Sequence, residues 1–289
     1  MKHLLVVRVD RAVADFAADL LWSAGAQAVE ERLDGEMVDL VTDLGDDPVA
    51  AWRRHIADIP DADTWPVTVL EANPDHADSW RAYAAPTTVG TVRIVPSWLD
   101  EARRDNDILI DPGGSFGMGD HPTTRATLEL ALGLSAQSVL DLGCGSGVLG
   151  IALALRDHCA VLAVDPAPAA TLATRANALL NGVGDFVRVA EGDASVVVGN
   201  HELVLANILA PVLLADAARI VDLVTPGGHV VLSGFTETRR ADITAKYERL
   251  GCRLVRTVEI DGWYALLLQR DEPSASTRGE KSSAETWRR

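Results

Sequence analysis

The chain has 289 residues, a hydrophobic fraction of 48% and a formal net charge of −16. Its length and apolar content allow a substantial core and two domains, while the charge disfavours direct reading of bare nucleic acid and suits a basic protein partner. No uninterrupted apolar run reaches the ~20 residues needed to span a bilayer, and the apolar stretch before Asp10 is too short for a signal peptide, so a cytoplasmic protein without membrane contact is expected.

Residues 2–9 read as a strand and residues 12–24 as a helix closing at Gly25. Strands over 28–32 and 37–42, separated by Asp34-Gly35, a helix over 50–58 and a strand over 66–71 complete the pattern β-α-β-β-α-β. That order is the split arrangement of a ferredoxin-like α+β domain, here assigned to residues 1–72. Residues 73–90 are turn-rich and serve as a linker carrying Trp80 and Tyr83. Residues 90–96 and 107–110 are expected to form a hairpin ahead of the main domain, residues 91–270.

The segment DPGGSFGMGDHPTT, residues 111–124, is glycine-rich, and so much backbone freedom is costly in a simple connector. It reads as a lid or binding loop in which Phe116 walls a pocket. Thr123 and Thr124 could cap the next helix and contact a ligand, and His121 is a candidate base.

A helix over 124–132 leads to a strand over 138–140 and then to the run DLGCGSG, residues 141–147. Glycines at 143, 145 and 147 let a strand-to-helix turn adopt unusual dihedrals and approach a ligand closely, which points to a nucleotide-like cofactor. A helix over 148–155 and a strand over 160–164 bring the chain to Asp165, about 22 residues beyond Gly143, where a carboxylate can hold ribose hydroxyls. This pair alone does not separate NAD from S-adenosylmethionine. The spacing is G-x-G-x-G rather than the G-x-G-x-x-G of pyrophosphate binding, and Asp141 would repel a pyrophosphate but pair with the cationic amino group of a methionine moiety. The balance therefore favours the methyl donor, with Gly143, Cys144 and Gly145 forming the wall beside it.

After a helix over 169–180, strands over 186–189, 203–206 and 229–233 have the short, apolar, β-branched content of buried parallel strands. Asp193 follows the first and is placed to reach an adenine amino group. Asn207 follows the second, at a carboxyl edge where such folds bind ligands; its alternatives are orientation of an incoming amine and a plain helix N-cap. Residues 253–258 and 263–268 form an edge hairpin through Asp261-Gly262, and residues 271–289 are expected to be a disordered tail. The three cysteines, Cys144, Cys159 and Cys252, lack metal-ligand spacing and fit a reduced protein with no metal site, Cys144 alone being expected to escape burial. The expected whole is thus an α/β chain, a doubly wound, mainly parallel sheet preceded by a smaller domain.

In order and spacing, DPGGSFGMGDHPTT, VLDLGCGSGVLGIA and LANILA resemble the signatures of the PrmA-type ribosomal protein methyltransferases, as do Asp78-Ser-Trp80, IVPSW at 94–98 and LVTPGG at 223–228. The resemblance runs from about residue 78 to residue 268. It implies a class I S-adenosylmethionine enzyme that methylates lysine or N-terminal amino groups of large-subunit ribosomal protein eleven. It also implies cofactor contacts at Thr124, Gly143, Asp165 and Asn207, an active-site cover around Phe116, and an N-terminal substrate-recognition domain on a mobile linker. Two departures stand out: the family's D-x-D-P is here Asp165-Pro-Ala-Pro168, with one acidic residue in place of two, and the N-terminal region is reduced. Methylation of another protein lysine or a small amine, and a noncatalytic cofactor-binding module, remain as alternatives.

Overall fold

Alternating apolar residues near the start of the chain build an antiparallel sheet whose inner face carries Leu5, Val7, Val9 and Leu40. The structure, a computed structural model, describes residues 3–24, 26, 29–43, 47–57, 62–71, 84–104, 106–113 and 115–272. Trp80, Tyr83, most of the expected linker and the expected tail beyond 272 lie outside the described residues, as does Gly25. The described residues fall into two compact units, one from residues 1–120, 145–148 and 167–182, the other from 121–144, 149–166 and 183–289.

In the first unit, β1 (His3–Asp10), α1 (Ala14–Ser23), β2 (Val29–Asp34), β3 (Met37–Thr42), α2 (Pro48–His55) and β4 (Val67–Glu71) follow the expected order. The sheet order is β2-β3-β1-β4 with every pairing antiparallel, the ferredoxin-like topology. Trp52 of α2 is fully buried against this sheet's core and stacks on Trp65 at 6.3 Å between ring centroids. Asp47 caps α2 by accepting from the Ala50 N–H at 3.1 Å, which supplies one of the partners that a helix start lacks.

A three-stranded sheet follows, made of β5 (Thr87–Val89), β6 (Val92–Pro96) and β7 (Asp107–Ile110). The expected hairpin between residues 90–96 and 107–110 is corrected here: β6 and β7 run parallel, and the tight antiparallel hairpin is β5–β6. Residues 97–104 and 106 lie in the crossover that parallel strands require. Arg93 then faces Asp107 in register, donating Nε to Oδ1 at 2.8 Å and Nη2 to Oδ2 at 2.7 Å. This hydrogen-bonded guanidinium holds the buried Asp107 carboxyl below its ordinary range.

The second unit is built on a seven-stranded sheet: β8 (Ser138–Leu142), β9 (Ala160–Asp165), β10 (Val187–Glu191), β11 (His201–Asn207), β12 (Val224–Thr236), β13 (Cys252–Ile260) and β14 (Trp263–Arg270). The helices of this part of the chain are α3 (Pro122–Ala131), α4 (Val148–Asp157), α5 (Pro168–Leu180), α6 (Ala210–Ala215), α7 (Ala217–Asp222) and α8 (Glu237–Arg249), of which α5 belongs to the first unit. The strand order is β10-β9-β8-β11-β12-β14-β13, parallel from β10 to β12 and antiparallel through β14. Residues 139–142 and 203–206 are buried without alternation, as expected of strands covered on both faces. The strand expected over 229–233 is the middle of a longer β12, because its pairing with β11 resumes beyond an irregularity that accommodates residues 225–228.

Candidate functional site

The chain leaves β8 at Leu142 through Gly143, Gly145 and Gly147, whose φ angles of +74°, +54° and +82° lie in the left-handed region that favours glycine. The Gly143 and Cys144 N–H groups both donate to the Val164 carbonyl, at 2.8 and 3.1 Å. What crowds this turn is the protein itself. A Cβ on Gly143 would collide with the Ile208 side chain, and one on Gly145 would lie 2.5 Å from the Phe116 carbonyl oxygen. The sequence argument explained these glycines by close approach to a ligand; the close approach present in the structure is to Ile208 and Phe116. Cys144 is buried like Cys159 and Cys252, which corrects the expectation that it escapes burial.

Asp141 sits inside β8 and is fully buried. Its Oδ2 accepts from the Gly150 N–H at 2.9 Å, tying the strand to the first turns of α4, while Oδ1 is buried with no partner among the described residues. Burial, against the effect of the Gly150 bond and aided by the nearby Asp165 charge, pushes the Asp141 carboxyl up to about 7. Gly150, which sequence reasoning passed over, matters for this geometry: a Cβ there would meet Asp141 Oδ2 at 3.0 Å and Val161 Cγ1 at 2.8 Å.

The other carboxylates and the amide lie at the ends of neighbouring strands. Asp165 is the last residue of β9, and its carbonyl accepts from the Gly192 N–H at 3.0 Å just beyond β10. Asp193 caps a short helical turn over Ala194–Val196, with Oδ1 accepting from the Ser195 N–H at 2.8 Å; hydrogen bonding from Ser195 holds its carboxyl below the ordinary range. Asn207 ends β11. Its plain alternative, an N-cap, is not realised, because α6 is capped by Leu209 without a side-chain bond.

His121, Thr123 and Thr124 form a cluster of their own at the start of α3. His121, rather than either threonine, is the N-cap: its Nδ1 accepts from the Thr123 N–H at 3.3 Å and lies 2.7 Å from Thr123 Oγ1. The imidazole also meets Trp263 edge-on at 5.1 Å. Thr123 and Thr124 are buried inside the first turn, which corrects their expected role as caps.

In the first unit, Phe116 is 45% exposed while its backbone is anchored. The Phe116 carbonyl accepts from the Ser146 N–H at 2.9 Å, and Ser146 Oγ donates to the Gly117 carbonyl at 2.5 Å. Gly145 is therefore joined to the Phe116 loop, whereas Gly143 and Cys144 are joined to β9. Sequence reasoning missed Ser146, the α5 residues Thr174 and Asn177 and the α5 C-cap Asn181; for the last three the available signal was buried-face spacing of polar residues along a helix otherwise rich in Ala and Leu.

Among the described residues no group of three or more His, Cys, Asp or Glu is arranged to hold a metal, and no helix is long and apolar enough to cross a membrane. The family model described as ribosomal protein L11 methyltransferase (PrmA) matches residues 61–271. A ribosomal protein L11 methyltransferase of Synechococcus sp. (strain RCC307) is 39% identical over 212 residues, 70% of each chain. One from Citrifermentans bemidjiense is 36% identical over 196 residues, 64% of each chain. The crystal structure of ribosomal protein L11 methylase from Lactobacillus delbrueckii subsp. bulgaricus aligns with a TM-score of 0.59 at 27% identity, covering 66% of this chain and 100% of that one.

Proposed function

The chain belongs to the ribosomal protein L11 methyltransferase family, and from that membership we propose that it transfers methyl groups from S-adenosylmethionine to lysine or N-terminal amino groups of a large-subunit ribosomal protein. The observation that carries the reading is the convergence of the glycine turn, Asp165 and Asn207 at the carboxyl ends of β8, β9 and β11. The chain winds from β8 outward to β9 and β10, then returns to β11 on the other side, so β8 and β11 flank the switch point where open α/β sheets bind ligands. A cationic donor fits this end of the sheet: Asp141 has a buried oxygen without a described partner, and its charge is disfavoured by that of Asp165.

S-adenosylmethionine supplies a methyl group already activated by its sulfonium. The tasks left to the chain are orientation and exclusion of water. Asp165 accepts from the ribose hydroxyls, Asp193 from the adenine amino group, and Asp141 balances positive charge from beneath the turn. Thr124, at the start of α3, belongs to the cofactor contacts that the family resemblance implies, and Phe116 to the active-site cover. The Asn207 side-chain oxygen would accept a hydrogen bond from the incoming amine and so orient that nitrogen for attack. A lysine must arrive neutral. If His121 takes its proton, Nε2 is the acceptor, since Nδ1 is committed to the α3 cap. The net charge of −16 supports a basic protein as acceptor.

The test is incubation with methyl-labelled S-adenosylmethionine and an extract of matched cells, followed by identification of the labelled species. Label in a large-subunit ribosomal protein, released by acid hydrolysis as N-methylated amino acid, is the expected result. Label confined to small metabolites would overturn the protein-substrate reading, and cofactor binding without any labelling would point to a noncatalytic module.

A further inference from the structure

Helix α5 and its C-cap present two buried asparagines, Asn177 and Asn181, one turn apart, to the edge of β7 that β6 does not occupy. Asn181 Oδ1 accepts from the Leu109 N–H at 2.8 Å, and its Nδ2 donates to the Leu109 carbonyl at 2.7 Å. Two residues further along, Asn177 Oδ1 accepts from the Asp111 N–H at 3.0 Å, and its Nδ2 donates to the Asp111 carbonyl at 2.9 Å. Alternate residues along a strand edge present their main-chain groups to the same side, so the two amides act as a side-chain substitute for a neighbouring strand. The two positions differ in one respect. Asn177 Nδ2 also donates to the Ser146 carbonyl at 2.9 Å, whereas Asn181 Nδ2 donates back to the Asn177 carbonyl of its own helix at 2.8 Å. One turn earlier, Thr174 Oγ1 donates to the Gly145 carbonyl at 2.9 Å.

We propose that Asn177 is a positioning residue that locks the root of the Phe116 loop to the glycine turn and so sets the shape in which the cofactor is gripped. Its three bonds join Asp111, where the loop begins, to Ser146, whose N–H and hydroxyl hold Phe116 and Gly117. Loss of the amide leaves the buried Ser146 carbonyl and the half-buried Asp111 N–H and carbonyl without that partner and frees the loop at its base. Asn181 makes an equal number of bonds, but none of them reaches the turn. The link to cofactor affinity rests on the function proposed above; the link between loop and turn does not.

The experiment compares the full-length N177A and N181A chains by hydrogen exchange, thermal melting and calorimetric titration with S-adenosylmethionine. Both variants are expected to melt earlier. In N177A, exchange at Ser115, Phe116 and Gly117 should quicken and the dissociation constant should rise by about tenfold or more, as for loss of a buried hydrogen bond. In N181A, faster exchange should stay within β7 and the dissociation constant should remain within about threefold of the parent. Unchanged exchange at 115–117 in N177A, or equal weakening of binding in both variants, overturns the proposal. If N177A does not fold, T174V removes one bond to the same turn and should show the same pattern in smaller measure; unaltered exchange and affinity there would also overturn it. Failure of the parent chain to bind S-adenosylmethionine would overturn the functional reading instead, and the exchange comparison would still decide the positioning role.

Discussion

At the scale of the residue, Asp141 couples the site to pH. Its carboxyl stands at about 7, above the ordinary aspartate value, because burial penalises the ionised form. The folded protein therefore holds a proton that the unfolded chain releases near pH 4, and the associated stability, complete below that pH, is lost as pH rises through about 7. D141N keeps an oxygen to accept the Gly150 N–H but carries no charge. Its melting temperature should exceed that of the parent at pH 8 by a few degrees, at about 2–4 °C per kcal/mol for a chain of this size, and the difference should vanish near pH 4. Bound positive charge should draw the same proton out, so calorimetry at pH 7 in buffers of unlike ionisation enthalpy should register proton release when S-adenosylmethionine binds. A proton count of zero would place Asp141 out of reach of the ligand. For the neighbouring strand ends, D165A should raise the cofactor dissociation constant by about tenfold or more, whereas N207A should reduce kcat more than it weakens cofactor binding. Equal losses in both quantities for N207A would make it a cofactor ligand alone.

At the scale of the element, what could be read from the sequence divides by how local its cause is. The ferredoxin-like order, the strand leading to Asp165 and the helices around the glycine turn follow from periodicity and from Gly, Asn and Pro punctuation within a few residues, so they were legible. The parallel pairing of β6 with β7 was not, because the two strands, with Arg93 facing Asp107, meet only across a crossover. The reason for the glycines was also hidden: Ile208 lies far along the chain from Gly143 and approaches it only in the fold. The spacing of Asn177 on its helix was legible but its partner was not, Asp111 being 66 positions away. The crossover yields its own expectation. D107N abolishes the charge opposite Arg93 and weakens acceptance from the Arg104 N–H, so exchange at Ile108 should rise by about tenfold and the melting temperature should fall. Unaltered exchange there would show that the apolar packing of β7 suffices to hold the strand.

At the scale of the whole molecule, the charge of −16 acts on encounter rather than on fold. With a basic protein acceptor, KM should rise as salt is raised from about 50 to 200 mM, since added ions screen the attraction. With an uncharged amine as acceptor, KM should hardly move. A KM for the protein acceptor that ignores salt would argue that the net charge has no part in capture. The exposed Leu172 and Leu179 on α5 are among the apolar side chains on this surface.

The placement of β14 between β12 and β13 bears on how the protein is made. Residues 265–268 are buried and hydrogen-bonded to both neighbours, although they come after every other strand of that sheet in the sequence. A nascent chain that has emerged only as far as Ile260 exposes the long β12 edge and has nothing to insert beside it, so the sheet closes only once the segment through Arg270 has cleared the ribosome. A chain ended at Ile260 is expected to aggregate during synthesis, and adding residues 261–270 as a separate peptide should rescue part of the soluble yield.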